Sequence, residues 1–204
     1  MSFLGRGDLI TRLRTGDLVV SPILSTEQIG AASIDLRLGN IMLLVRARAA
    51  SHVDPSAMAK KPRPGSFDVE VDRRQKHERY EIPFRERLLL HPGTVALVPT
   101  LEWLKLPSDL IGSVTARSTW AREGLSIATA NLIEPGYEGI ATLELANLGQ
   151  IPIALYPGLR IAQVTFASVI GDTTRPSRGQ FNLSFEPSQG QLAKHDSAFL
   201  PPTR

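Results

Sequence analysis

The chain has 204 residues, which is enough for one domain with a full hydrophobic core. Hydrophobic residues make up 42% and charged residues 21%, a balance that excludes the disordered and fibrous classes. It contains no cysteine, so disulfides, thiol nucleophiles and zinc sites built on thiolates are excluded. No apolar run is long enough to span a bilayer and no secretion signal is present, so we expect a cytoplasmic protein without a membrane partner.

The formal net charge of +3 is only mildly basic. Much of the positive charge falls between residues 60 and 79, a stretch with almost no aromatic residues. This pattern indicates a solvated loop rather than a nucleic-acid surface, and we expect no nucleic-acid partner.

The elements begin with a short predicted helix at residues 8–15, where Asp8 stands in capping position and Gly16 ends the apolar face. Alternating or continuous apolar runs then predict strands. They are residues 17–21, 32–38, 41–45, 87–90, 95–100, 111–116, 140–146, 153–155 and 161–167. Short strands separated by Gly, Pro, Asn and Asp predict a mainly β fold, a distorted jelly roll or barrel with few other helices.

Three other features set the organisation of the chain. Residues 51–80 are rich in Pro, Lys, Arg, Asp and Glu, which predicts an irregular excursion. Residues 90–98 and 155–164 form a weak repeat in which a Pro-Gly turn precedes an apolar strand, as two similar β-arches would. After Gly171 the composition shifts to Ser, Pro, Gly and Gln, so we predict one domain at 1–171 and a tail or lid at 172–204.

The first polar stretch whose residues could bind a ligand or take part in a reaction follows the strand that ends at Ala116. Arg117, Ser118, Thr119 and Arg122 place two hydroxyls and two guanidinium groups at the start of a helical turn, an arrangement that suits phosphate. From this stretch alone, a capped turn whose arginines pair with surface carboxylates is an equally good interpretation.

The second stretch contains Glu144, which lies between Leu143 and Leu145 on a predicted strand. Partial burial between apolar neighbours suits a carboxylate to proton transfer near neutrality. A single glutamate on a strand more often faces solvent, so this position gains weight only from its surroundings.

The surroundings resemble the dCTP deaminase and dUTPase superfamily over about fifty residues. The motifs, in the family's order, are RSTWAR (117–122), IEPGYEG (133–139), LELAN (143–147) and PGLRIAQ (157–163). Weaker agreement extends to ASIDLRLGN (32–40) and LHPG (90–93). The resemblance implies a dUTPase-like β fold.

The resemblance also implies a reaction, because deaminases of this family carry a glutamate where Glu144 stands. The implied activity is hydrolytic deamination of dCTP to dUTP and ammonia. Glu144 would take a proton from water, hydroxide would attack C4 of cytosine, and the carboxyl would protonate the departing amine. Ser118, Arg122 and the backbone near Ala130 resemble the groups that position the water and the ring.

Further residues are assigned by resemblance to binding of the deoxycytidine nucleotide. Arg117, Ser118, Thr119 and Arg122 resemble the phosphate-holding part of the family's site. Thr142, through its backbone, and the adjoining Leu143 would read the pyrimidine edge. Tyr137 would stack on deoxyribose, although a structural tyrosine in a turn is an alternative, and Glu134 would reach the 3′-hydroxyl.

The composition and the family resemblance also lead to expectations about metal ions and about the oligomeric state. Zinc deaminases use His and Cys ligands, and here cysteine is absent while His52, His77, His91 and His195 are scattered, so we expect no protein-bound zinc. Mg²⁺ would enter with the triphosphate. The family implies a homotrimer with sites at subunit interfaces.

The tail departs from the family pattern, in which a tyrosine, a lysine and a glutamine close over the triphosphate. Ser177, Ser184 and Ser188 occupy those positions, with Arg178 and Gln189 nearby as substitutes. Two alternatives therefore stay open. One is a dUTPase or a bifunctional deaminase and dUTPase, in which Glu134 aims water at the α-phosphate. The other is a non-catalytic nucleotide-binding regulator.

Overall fold

The computed structural model describes residues 2–46, 77–127, 131–171, 179, 181–188 and 190. Two α-helices are present in this part of the chain, α1 (Arg6–Thr15) and α2 (Ser118–Arg122), together with a 3-10 turn at Thr26–Gln28. The strands are β1 (Val19–Ser21), β2 (Ile34–Arg37), β3 (Ile41–Val45), β4 (His77–Glu81), β5 (Leu88–Leu90), β6 (Val95–Lys105), β7 (Leu110–Ala116), β8 (Leu125–Ile127), β9 (Leu132–Ile133), β10 (Glu138–Asn147), β11 (Ile153–Leu155) and β12 (Arg160–Ser168). The predicted mainly β fold with a short N-terminal helix is confirmed.

Helix α1 ends where the sequence predicts, because Gly16 adopts a left-handed conformation with φ of 79°. Its Leu9 is fully buried and fixes the helix on the domain. Neither helix of the described part of the chain is long and apolar enough to cross a lipid bilayer.

The strands form three antiparallel sheets. The largest has the order β4-β3-β6-β10-β8, with β1 also paired to β6. The second has the order β2-β12-β7-β9, and the third pairs β11 with β5. Buried side chains from both larger sheets, such as Leu143 and Leu145 on β10 and Val164 and Phe166 on β12, belong to one hydrophobic cluster. The two larger sheets therefore share a core.

The weak sequence repeat corresponds to two similar arches. β5 leads into β6 and β11 leads into β12, each through a Pro-Gly turn whose glycine has positive φ, 71° at Gly93 and 90° at Gly158. The arches start side by side because β5 pairs with β11. They then enter different sheets.

Three strand predictions need correction. Residues 77–80, predicted as irregular, instead begin β4, an edge strand whose half-exposed side chains keep their charges in solvent. β6 continues past Thr100 to Lys105, because a register shift against β10 lets the Thr100 hydroxyl accept a hydrogen bond from Ala141 N at 3.0 Å. β8 and β9 were not predicted, and residues 51–76 lie outside the described part.

A buried glutamate links the two larger sheets. Glu102 on β6 has 0% exposure, and its Oε1 accepts a hydrogen bond from Gln28 Nε2 at 2.8 Å. Its Oε2 accepts a hydrogen bond from the backbone N–H of Arg37 on β2, also at 2.8 Å. Burial raises the pKa of Glu102 to about 7, although both hydrogen bonds act to lower it. We call this Glu102–Gln28–Arg37 arrangement the carboxylate clamp.

The clamp predicts a specific dependence of stability on pH. The folded pKa of about 7 lies above the ordinary glutamate value of 4.5. Folding therefore takes up a proton in this window, and the contribution of Glu102 is largest below pH 4.5 and is lost as pH rises through 7. In Glu102→Gln this titration is absent, so the wild type should lose about 2 kcal/mol more than the variant between pH 5 and 7.5. Urea unfolding at equal protein concentrations measures this, and equal losses in both proteins would contradict it.

Candidate active site

The predicted phosphate residues line one cavity. Arg117, Ser118 and Thr119 border a space of about 430 Å³ at the end of β7. The remaining lining residues are Glu27, Gly30, Ser33, Asp35, Ala116, Arg160 and Gln163.

Backbone pairing fixes this cavity on two strands of one sheet. β7 ends opposite β12, with Ala116 beside Ala162, and the N–H of Arg117 continues the contact by donating to Ile161 O at 3.0 Å. Helix α2 is held close to β12 because Trp120 Nε1 donates to Arg160 O at 3.0 Å. Arg122 lies exposed in the last turn of α2 and does not line the cavity in the described structure.

An acidic residue lies among the cavity's cations. Asp35 on β2 directs Oδ2 to the NH1 groups of both Arg117 and Arg160, and the contact to Arg160 is 3.3 Å long. Asp35, Arg160 and Gln163 were not among the site residues predicted from the sequence. The sequence contained features that could have identified them. Asp35 lies on the polar side of an alternating strand, and Arg160 and Gln163 belong to the PGLRIAQ motif.

Glu144 lies on the half-buried face of β10. Ala141, Leu143 and Leu145 point into the core, whereas Thr142 and Glu144 alternate to the other face. The residue opposite Glu144 on β6 is Leu97, which is half-buried. The carboxylate therefore stands on a partly apolar sheet surface that solvent and ligand can reach.

The backbone of Thr142 lies between two contacts on the same edge of β10. Ile140 N donates to Ser184 O at 3.0 Å, and Ala141 N donates to Thr100 Oγ1 on β6 at 3.0 Å. Because backbone groups alternate along a strand, those of Thr142 point away from β6. Among the described residues on that edge, the pairing of β8 with β10 begins at Leu145, and residues 128–130, which follow β8, lie outside the described part. Thr142 therefore lies between the tail contact and β8.

The same alternation gives Leu143 a different position. Its backbone groups turn toward β6, and its side chain is 2% exposed in the core. The side chain of Leu143 is therefore not exposed to a ligand, and its assignment to substrate binding stays a prediction.

Tyr137 and Glu134 occupy the turn before β10. The Tyr137 hydroxyl donates to Ile140 O at 2.6 Å, and burial raises its pKa to about 12, so the phenol stays protonated. Its ring packs partly against the core. Glu134 is exposed, and its backbone oxygen accepts a hydrogen bond from Tyr137 N at 3.2 Å.

The described tail residues fold onto this turn. Leu183 N donates to Glu138 O at 2.6 Å, and Glu138 N donates to the side chain of Asn182 at 2.8 Å. Ser184 directs its hydroxyl to Glu186 O at 2.6 Å, and Ser188 is exposed. The other tail candidates, Ser177, Arg178 and Gln189, and also Ala130, lie outside the described residues.

The predicted base and the predicted phosphate residues lie on different sheets, Glu144 on β10 and Arg117 at the end of β7. The cavity contains Arg117, Ser118 and Thr119, and its described lining does not include Glu144 or Tyr137. No group of three or more His, Asp or Glu side chains suited to a metal ion occurs among the residues that the structure describes.

A family model for dCTP deaminase-like proteins matches residues 3–169. The chain belongs to the dCTP deaminase-like family. Two relatives named dCTP deaminase, from Pectobacterium atrosepticum and Actinobacillus succinogenes, are each 35% identical over 187 residues. The matches cover 91% of this chain and 94% and 93% of those proteins.

A solved structure is similar over most of the described fold. It is the 2′-deoxycytidine 5′-triphosphate deaminase from Agrobacterium tumefaciens, with 26% identity and a TM-score of 0.58. The match covers 80% of this chain and 47% of that chain, so this dCTP deaminase-like chain spans about half of the longer protein. The expected family resemblance is confirmed.

The start of β10 predicts one effect of a small substitution. Gly139 has φ of 147°, and an added Cβ would lie 3.0 Å from the Tyr137 hydroxyl and 3.2 Å from Ser184 N and O. Gly139→Ala should displace the tail, weakening its docking by about 1–3 kcal/mol through strain and crowding. Hydrogen exchange at the Leu183 and Ile140 amides should accelerate at least about fivefold.

Gly7→Ala is the matched control for this change, because Gly7 lies in α1 and a Cβ there meets nothing within 4 Å. The control should leave exchange at both amides unchanged. Unaltered exchange in Gly139→Ala would show that the tail contact does not depend on this glycine.

Proposed function

We propose that this protein catalyses the hydrolytic deamination of dCTP to dUTP and ammonia. The observation that carries the proposal is the position of Glu144, half-buried on the outward face of β10, two residues from Thr142, whose backbone groups point away from β6. The family membership and the relatives named dCTP deaminase support it.

The reaction uses one carboxylate as base and then as acid. Glu144 removes a proton from water, and the resulting hydroxide forms a bond to C4 of cytosine. The bond from C4 to the exocyclic amine then breaks, and the Glu144 carboxyl returns its proton to the departing ammonia. Ser118, Arg122 and the backbone near Ala130 position the water and the ring. A half-buried carboxylate suits both steps, because it is reachable yet shielded from bulk water.

Nucleoside recognition follows from the turn and strand around Glu144. The backbone of Thr142, which points away from β6, offers one N–H and one C=O to the pyrimidine edge, and Leu143 is assigned to substrate binding by the family resemblance. Tyr137 stacks on the deoxyribose, with its ring held by the hydrogen bond to Ile140 O. Glu134 accepts a hydrogen bond from the 3′-hydroxyl.

Phosphate recognition uses the cavity at the end of β7. Arg117, Ser118 and Thr119 supply its donors, and Arg122, with Arg178 and Gln189 of the tail, adds to them. Mg²⁺ enters with the triphosphate, bound to phosphate oxygens and water. The expected cytoplasmic location remains a prediction.

A homotrimer with shared sites completes the proposal. Glu144 is not among the described residues that line the cavity, which supports a site completed by a second copy of the chain. Large apolar side chains that stay exposed in one chain, including Leu132, Leu148 and Ile151, offer surface for such contacts.

The role of Glu144 can be tested with Glu144→Gln, which keeps the shape of the side chain but removes the base. Ammonia release from dCTP should fall about a thousandfold or more, while dCTP still binds. Glu86→Gln, in an exposed loop, is the matched control and should keep wild-type turnover. Unchanged turnover in Glu144→Gln would overturn the assignment. Release of pyrophosphate and dUMP by the wild type would indicate a bifunctional enzyme or a dUTPase. Binding of the nucleotide without any turnover would indicate a non-catalytic regulator.

The shared site can be tested by complementation. Arg117→Ala and Glu144→Gln should each be inactive alone, because each removes one half of every site. Co-expressed chains should mix at random, so about a quarter of the sites would regain both groups. Measurable deamination by the mixture, together with sedimentation as a trimer, is the expected result. A monomer, or a mixture as inactive as its parents, would contradict shared sites.

A further inference from the structure

Asp35 occupies an unusual place for an acidic residue. Its side chain is 13% exposed and lies in the cavity that we assign to phosphate. Glu27 also lines this cavity, so two carboxylates balance the two guanidinium groups of Arg117 and Arg160. A carboxylate at such a site repels phosphate, so its presence needs another reason.

The contacts of Asp35 suggest that reason. One oxygen, Oδ2, accepts hydrogen bonds from NH1 of Arg117 and NH1 of Arg160. Arg117 follows the end of β7, whereas Arg160 is the first residue of β12. Two guanidinium groups brought this close repel each other unless an anion lies between them. Asp35 therefore allows two like charges to stand side by side at the same cavity.

Asp35 is itself held from both edges of β2. On one edge β2 pairs with β12, with Asp35 opposite Gln163. On the other edge the carboxylate clamp reaches the strand, because Gln28 Nε2 donates to Asp35 O at 2.9 Å and Glu102 accepts from Arg37 N. The backbone that carries Asp35 is thus fixed on both edges, on the second by Gln28 and Glu102, which do not line the cavity.

We propose that Asp35 is a positioning residue that holds Arg117 and Arg160 in the geometry that receives the substrate's phosphates. Neither Asp35 nor Arg160 was among the sequence-predicted site residues. The inference rests on the proposed function of the cavity, and it assigns Asp35 no contact with the reacting atoms.

The test uses Asp35→Asn, because two effects of this change have opposite signs. Loss of the negative charge alone would strengthen phosphate binding, whereas loss of positioning would weaken it. Inorganic tripolyphosphate, titrated calorimetrically into the full chain at fixed ionic strength, should bind about tenfold more weakly to the variant. Inhibition of dCTP turnover by deoxycytidine, which has no phosphate, should stay unchanged.

Asp109→Asn is the matched control, because Asp109 forms a similar ion pair with Arg12, 2.6 Å long, outside the cavity. It should bind tripolyphosphate as the wild type does. Equal or tighter binding by Asp35→Asn would overturn the proposal. So would an equal loss of deoxycytidine inhibition, or no measurable tripolyphosphate binding by the wild type.

Arg160→Lys provides a second variant should Asp35→Asn fail to fold. It keeps the positive charge but loses the planar fork, so tripolyphosphate binding should again weaken while deoxycytidine inhibition does not. Unchanged binding would overturn the proposal. A wild type that binds tripolyphosphate in an Asp35-dependent way without deaminating dCTP would refute the proposed function alone. Normal deamination with unaffected variants would refute the role of Asp35 alone.

Discussion

The carboxylate of Glu102 is the contact on which the arrangement of the two larger sheets depends. An ionised carboxylate without partners would be very costly at a fully buried position. Both of its oxygens are satisfied, one by Gln28 Nε2 and the other by the backbone N–H of Arg37. Both donors lie on or beside β2, whereas Glu102 lies on β6. A displacement of one sheet against the other would leave a buried acceptor unpaired, so the clamp fixes their relative position.

This constraint extends to the cavity through a single strand. β2 contributes Arg37 to the clamp and, two residues earlier, Asp35 to the cavity. Asp35 then contacts Arg117, which follows the end of β7, and Arg160, which begins β12 in the same sheet. A buried contact therefore determines where surface charges stand. β10 has the equivalent role on the other sheet, since alternation places its core residues and Glu144 on opposite faces.

What the sequence could predict was local. Alternation is readable within one strand, so β3 and β11 were predicted with their observed bounds and Glu144 with its observed face. β8 and β9, with three and two residues, are too short to show a period. Glu102 has the pattern of an exposed residue between Leu101 and Trp103, and its partner Gln28 is 74 residues away. The ion pairs of Asp35 join residues even further apart along the chain, so local patterns could not reveal them.

The described part of the tail docks on β10 although its sequence departs from the family pattern. Leu183 N and Ser184 O both pair with β10 through the backbone, so this docking does not require the lysine that the family has in place of Ser184. What serine removes is positive charge. The cavity's own carboxylates already balance Arg117 and Arg160. On the proposed function, Arg117 and Arg160 contact the phosphates but add little net positive charge, so Arg122, nucleotide-bound magnesium, Arg178 or a second copy of the chain supplements them. Of these sources, magnesium and the second copy are present only when substrate and subunits assemble, so assembly should strengthen phosphate binding.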